Sequence, residues 1–488
     1  MAERPTSPCP DGAARTVTDL DADVLAHCAS FLGLREVANL AMTCKPLRHV
    51  AYSDSVWSRL FTERWPAQCI SSGYPGAKEQ YVARHTALHQ MKFEDPLKVW
   101  FTTYPLPHSH IMLDRSYILL AQGSILQRLR FEPSEAEVAA CETLRGHGSR
   151  ITCMRLFPII DTSLFRREMQ NEANVIVTSS SDRTIRLWWK GRSQRCFKGH
   201  NGPVTTLADK LLGDGGRKVL ASGGEDCTVR LWSVSCSGKH NPLTLTYYGH
   251  EKPLSCLSVA KHKASLLVSI SKDSRVRVWD TSALSSSGSS ACVGMTCVSG
   301  PPVAMKCHDA LCYIAAGSLV TAIDLRTMRK AFTAAIHAPK LYSFEMLPAK
   351  WLLCTGGEDR AILWDIRKGQ EYPKPMADLD SNSSRVTLLH MDPYKVVTGG
   401  PSDYRVNVWE TDTGFLANSL DCRVPGETEN IVGLSAMAVD GCRIVTGGCA
   451  EEPGAMYYRD FSNCTIPVSL GSCASGSKFW EQGDSSCL

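Results

Sequence analysis

Histidine, aspartate and hydroxyl residues recur together along this chain, and together they are the ingredients of nucleophilic catalysis. Gly-His pairs stand at Gly146-His147, Gly199-His200 and Gly249-His250. After each comes an apolar run ending in small hydroxyl residues, an Asp turn, and a β-branched run ending in Trp: Val177 to Trp189, Leu220 to Trp232 and Val268 to Asp280. An enzyme needs one such constellation; several equivalent copies argue for architecture rather than turnover. Metal chemistry fares no better. His85 and His89, four residues apart on a helix-compatible segment, lack a third ligand. Cys307, His308 and Cys312 lie in a strand pattern without a second ligand pair, which suits a buried structural role. None of the 21 cysteines forms a C-x-x-C pair, which excludes the zinc-ribbon and thioredoxin patterns. No catalytic residue, metal or cofactor is expected.

The elements that hold these residues repeat. Leu353 to Asp365 and Val397 to Glu410 are weaker copies of the same stretch. The tryptophans fall at 188, 232, 279, 364 and 409, with gaps of 44, 47, 85 and 45, so a copy without its Trp sits inside the long gap. A period in the mid-forties with four strands per unit is the signature of a β-propeller blade. Three further units lack the full pattern: Ile111 to Phe131, Val303 to Leu325 (with Ile323 where Trp would stand) and Ile431 to Phe461. The total is eight, which predicts eight blades, or seven if the first unit closes the last blade. Closure needs a strand from one end of the domain, and either Leu97 to Thr102 or Thr465 to Leu470 could supply it. Phe157 to Asn174 reads as a charged insert between a blade's first two strands, and Ser282 to Ser290 as a flexible loop.

These repeats resemble WD repeats over about three quarters of the chain. The resemblance implies that in each unit a His, a second-strand hydroxyl, the turn Asp and the Trp share a buried hydrogen-bond network. Carried over, the sets are His147, Thr178, Asp182 and Trp188; His200, Ser222, Asp226 and Trp232; His250, Ser269, Asp273 and Trp279; and His337, Thr355, Asp359 and Trp364. The fourth has one residue fewer between Asp and Trp. Asp403 and Trp409 keep the usual spacing without an evident His.

Ahead of the repeats the periodicity is helical. Thr18 and Asp19 are good N-caps, and Val24, Cys28, Phe31 and Leu32 mark one face of a first helix, ended by Gly33. Val37, Leu40, Ala41 and Cys44 mark a second, broken by Pro46; Leu47 and Val50 a third; Trp57, Leu60 and Phe61 a fourth. The run Leu20-Asp21-Ala22-Asp23-Val24-Leu25, then Phe31-Leu32, Val37, Leu40, Thr43-Cys44-Lys45 and Val56 to Leu60, resembles an F-box over residues 16–65, with Asp21 where that family usually has proline. The resemblance implies docking on a Skp-type adaptor through Leu20, Leu25, Phe31, Leu32, Val37, Leu40 and Cys44, and through it on a cullin and a RING subunit.

The expected organisation is therefore mainly β: a disordered stretch at 1–15, an all-α F-box module at 16–65, a helical linker at 66–98, a WD-repeat propeller at 99–470 and a flexible tail at 471–488. The implied function is substrate recognition in a Skp–cullin–F-box ubiquitin ligase, with the alternative of a WD-repeat scaffold that does not engage the ligase. Protein substrates would meet a propeller face. The positions just before the turn Asp, where some relatives carry phosphate-binding arginines, are Ser181, Glu225, Lys272, Glu358 and Ser402, a mixed set. Arg150, Arg183, Lys272 and Arg360 are the candidate contacts there. A net charge of +4 over 488 residues, without a Lys/Arg run, gives no nucleic-acid footprint. No apolar run reaches the ~20 residues of a membrane span. Many unpaired cysteines without a secretory leader point to the cytoplasm or nucleus.

Overall fold

The computed structural model describes residues 17, 20–64, 76–132, 137–159, 174–212, 218–234, 242–281, 292–367, 373–380, 384–423, 433–449 and 454–462. Most of the charged insert after Phe157, the Ser-rich loop at 282–290, the tail, Thr18, Asp19 and the alternative closing strand at 465–470 lie outside the described residues. The chain divides into two compact units, Met1–His89 and Gln90–Leu488.

The first unit is helical: α1 (Ala22–Ala29), α2 (Leu34–Thr43), α3 (Lys45–Ala51), α4 (Asp54–Arg64) and α5 (Ala77–Gln90). Asp21 caps α1, its carboxylate accepting from the Ala22 N–H at 2.8 Å. Gly33 opens α2 rather than ending α1, and its N–H donates to the Glu36 carboxylate at 2.7 Å. Pro46 falls in the first turn of α3, where a missing N–H costs no helical bond. Leu25, Val37, Val50, Trp57 and Phe61 form the interior, and the Trp57 indole donates to the Ala51 carbonyl at 2.8 Å. The face expected from Val24, Cys28 and Phe31 is inverted: all three are exposed, and α1 buries Leu25 and Ala29 instead.

The second unit is an eight-bladed propeller of four-stranded antiparallel sheets. Blades 1 to 7 begin with the strands His108–Asp114, Ile151–Pro158, Val204–Leu212, Leu254–Val259, Pro302–His308, Ser343–Leu347 and Leu388–Met391. Each takes its four strands in chain order. Blade 8 takes Gly433–Asp440, Arg443–Cys449 and Gly454–Asp460, then Leu97–Thr103 as its outermost strand, with Leu97 opposite Asp460. The ring is therefore closed from the N-terminal side, with Leu97–Thr103 completing blade 8 as its fourth strand. Each blade's first strand lies beside that of the next, all the way round, so the eight first strands line the middle. The apolar core sits between blades: Val175, Ile185 and Phe197 of blade 2 pack with Leu207, Leu220 and Trp232 of blade 3. The second strands are buried almost throughout because both faces are covered.

Candidate functional site

In blades 2, 3 and 4 the sheet brings the expected residues together. The first strand starts beside the end of the second, so the Gly-His pair ahead of it meets the turn that follows the second strand. In blade 3 the Trp232 indole donates to Ser222 Oγ at 2.7 Å, and Ser222 lies 2.7 Å from His200 Nε2. His200 Nδ1 lies 2.9 Å from Asp226. The assignment that satisfies every donor has the serine donating to a neutral imidazole and its Nδ1–H donating to the carboxylate. Asp226 also accepts from the Asn201 N–H at 2.9 Å and the Thr228 hydroxyl at 2.8 Å. Blade 2 repeats this through His147, Thr178, Asp182 and Trp188, with 2.8 Å at each of the three links. Blade 4 does so through His250, Ser269, Asp273 and Trp279, with a longer 3.3 Å from histidine to aspartate.

The electrostatics follow from burial. Burial opposes charge on the His147 and His250 rings and lowers both below the usual histidine value. Burial also opposes the charge of Asp182, but hydrogen bonds from Thr184, the Gly148 N–H and His147 outweigh it and hold the carboxyl at about 2. The same balance lowers Asp226 and Asp273. The hydroxyls Thr178, Ser222 and Ser269 are fully buried and capped by tryptophan, so no substrate carbonyl can approach them. This arrangement fixes turns; it does not present a nucleophile.

Blade 6 departs from the expected set. Trp364 still donates to Thr355 at 2.8 Å, and His337 reaches Thr355, but through Nδ1 at 2.9 Å. Asp359 takes no part in that network: it pairs outward with Arg360 at 3.0 Å. The cause is turn length. In blade 3 the Gly224 N–H bonds to Thr228 across three residues, with Cys227 left-handed at φ 63°. In blade 6 the Gly357 N–H bonds to Arg360 across only two, Glu358 and Asp359. The tighter turn throws the carboxylate to the surface. Blade 7 keeps Trp409 on Thr398 at 2.9 Å. In blade 8 Arg459 stands opposite Ile444, the register that Trp188 has opposite Ile176 in blade 2. Its buried guanidinium donates to the Asp421 carbonyl at 2.5 Å. No spacing in the sequence signals that exchange.

The remaining candidates fall in three groups. Of the expected adaptor residues, Leu20 and Phe31 are exposed, Phe31 by 73%. Leu32 and Leu40 are half-buried against the helical core, Cys44 is half-buried in the α2–α3 turn, and Leu25 and Val37 are interior. Leu25 and Val37 therefore support a face from beneath and cannot present it. Val24 and Met42, which carried no such expectation, are exposed beside them in sequence. Arg150, Arg183 and Lys272 are exposed on the face of the Asp turns, whereas Arg360 is engaged by Asp359 and Asp378. Cys307 and Cys312 are buried opposite each other in a hairpin, His308 turns to Asp309 and Trp351, and His85 stacks on Tyr81. Among the described residues, no three His, Cys, Asp or Glu side chains converge on a metal position.

Comparison with known proteins agrees with this geometry. Residues 140–188, 191–233 and 241–280 match the family "WD domain, G-beta repeat", and these stretches carry the three complete networks. These three stretches are WD repeats, set in an eight-bladed propeller. The chain is similar to Nuclear distribution protein nudF of Aspergillus niger, 30% identical over 142 residues, covering 29% of this chain and 28% of that one. It is also similar to the DENN domain and WD repeat-containing protein SCD1 of Arabidopsis thaliana, 29% identical over 282 residues, covering 53% of this chain and 22% of that protein. The matches thus span less than a third of either relative. Among solved structures it is similar to the computationally designed Ika8 protein, with a TM-score of 0.55 and 18% identity over 73% of this chain and 97% of that one, a likeness of fold.

Proposed function

We propose that this protein is a non-catalytic substrate receptor of a Skp–cullin–F-box ubiquitin ligase, its helical unit docking on a Skp-type adaptor and its propeller holding a protein substrate. The observation that carries the reading is the helical unit's exposed apolar set: Leu20, Val24, Phe31 and Met42 are 49%, 49%, 73% and 75% exposed, on or next to helices that already have a closed interior. A unit that small gains little from such residues unless a partner covers them. The chain would do no chemistry; it would raise the effective concentration of a substrate near a conjugating enzyme held elsewhere in the complex.

The test is a pull-down of purified Skp-type adaptor and cullin by the full chain and by a Leu20→Ser, Phe31→Ser, Met42→Ser variant. All three positions are exposed, so the variant keeps its interior. Capture by the wild type alone is expected. If the wild type captures nothing, the reading falls, and a WD-repeat scaffold, favoured by Asp21 in place of the usual proline, takes its place.

A further inference from the structure

The inner strands end, on the side away from the Asp turns, at a cavity that no network residue enters. It has a volume of about 580 Å3 and is built by the first strands of blades 2 to 6 and the residues that follow them. That volume is within the roughly 300–1,000 Å3 of ordinary ligand sites. Four cations line it, one per blade for four consecutive blades: Arg155, Lys210, Lys261 and Lys306. Against them stand Asp209 on the wall and Glu345 beyond it, which pairs with Lys306. The imbalance is one-sided. Across the middle of the ring, a cavity of about 500 Å3 on blades 1, 6, 7 and 8 carries Glu345, His390 and Asp440 instead. Lys210 and Lys261 are exposed, and neither has an ion-pair partner among the described residues. Between the cations the wall is partly apolar, with the edges of Leu257, Met305 and Met346.

The geometry points to this cavity as a binding site for an acidic peptide segment of a partner protein, entering from the face opposite the Asp turns. Four cations against two carboxylates in a concave, partly apolar setting attract a polyanion and hold it more strongly than a flat surface would. The apolar wall between them selects a peptide that alternates acidic and apolar side chains over a bare phosphate, which has nothing to place there. An extended strand suits the setting, since its side chains alternate at a rise of about 3.3 Å per residue. The inference rests on the reading of the propeller as the partner-holding half. It is independent of whether the helices engage an adaptor.

The experiment uses the full chain without any adaptor, so its failure is distinct from a failed adaptor pull-down. A short fluorescein-labelled peptide of alternating Glu and Leu is titrated by anisotropy. Saturable binding is expected, weakened at least about tenfold by Lys210→Glu with Lys261→Glu. It should be unchanged by Lys330→Glu on the outer strand of blade 5, and lost when the peptide's Glu residues are replaced by Lys. Tryptophan emission checks that each variant is folded. The proposal is overturned if no saturable binding occurs or if the folded double variant binds as the wild type does. It is equally overturned if inorganic phosphate or a single-stranded oligonucleotide displaces the probe at lower concentration than the unlabelled peptide.

Discussion

Blades 3 and 6 each contain a His, a hydroxyl residue, an Asp and a Trp, yet only blade 3 joins all four. The difference is one residue in one turn. Three residues between Gly224 and Thr228, the last of them left-handed, fold Asp226 back under its own loop, where His200 and two backbone N–H groups reach it. Two residues between Gly357 and Arg360 leave no room for that excursion, and Asp359 faces solvent. The Trp–hydroxyl link survives in both because both partners lie on paired strands, whose register does not depend on the turn. Strand pairing therefore places half of the network and turn length decides the rest.

The strongest way to break this comparison is to remove the carboxylate from each blade. Asp226→Ala leaves a buried imidazole N–H and backbone donors without an acceptor and should cost roughly 3 kcal/mol. Asp359→Ala removes an exposed ion pair and should change stability by no more than about 0.5 kcal/mol. Denaturant unfolding followed by tryptophan fluorescence separates the two; equal losses would show that turn length is irrelevant.

A smaller effect comes from pH. The His147, His250 and His337 rings are all lowered by burial, so the folded chain resists their protonation while the unfolded chain protonates them near pH 6.5. The unfolded state then binds more protons, and stability should fall as pH drops below about 6.5. The lowered carboxyls of Asp182, Asp226 and Asp273 act later. Their contribution is present above the unfolded value near 3.9 and is lost as pH falls through their folded values. Melting temperature measured from pH 7.5 to 3 should decline in these two stages. Asp226→Asn should shrink only the second, and Asp359→Asn, whose carboxyl is lowered by the exposed Arg360 pair, should shrink it much less.

The smallest expected effect sharpens the backbone side of the comparison. Ser274 follows the turn Asp of blade 4 at φ 62°, a conformation that favours glycine, whereas Arg360, which follows Asp359, is not left-handed. Ser274→Gly should stabilise by about 0.5–1 kcal/mol, and Arg360→Gly should give no gain. Paired thermal melts read the sign directly.

Much of this was legible in the residues. The repeated strand–turn–strand stretch and the Trp spacing mark the units because each blade's pairings are local, and their count favours the eight blades found over the seven that stayed possible. The sets around His147, His200 and His250 follow from fixed distances to a turn of constant length. Asp359 could be named but not placed, since its position depends on one deleted residue. Helix faces were harder: Val24, Cys28 and Phe31 satisfy the same periodicity as Leu25 and Ala29, and only packing against neighbouring helices decides which stripe is interior. Arg459 in the tryptophan register, and four cations from four separate blades meeting at one cavity, depend on contacts between residues far apart in the chain. No window of sequence contains them.

Closure of the ring by Leu97–Thr103 has a consequence in time. Leu97 waits for Asp460, a partner roughly 360 residues later. At a synthesis rate of about 5–20 residues per second, the ribosome needs on the order of 20–70 s to deliver that partner. Throughout that interval the growing chain carries an open ring with an unsatisfied strand at its start, while the helical unit ahead of it has every residue it needs to fold. The two halves of this protein are thus born on different schedules, and the propeller is the half that needs shelter on the ribosome.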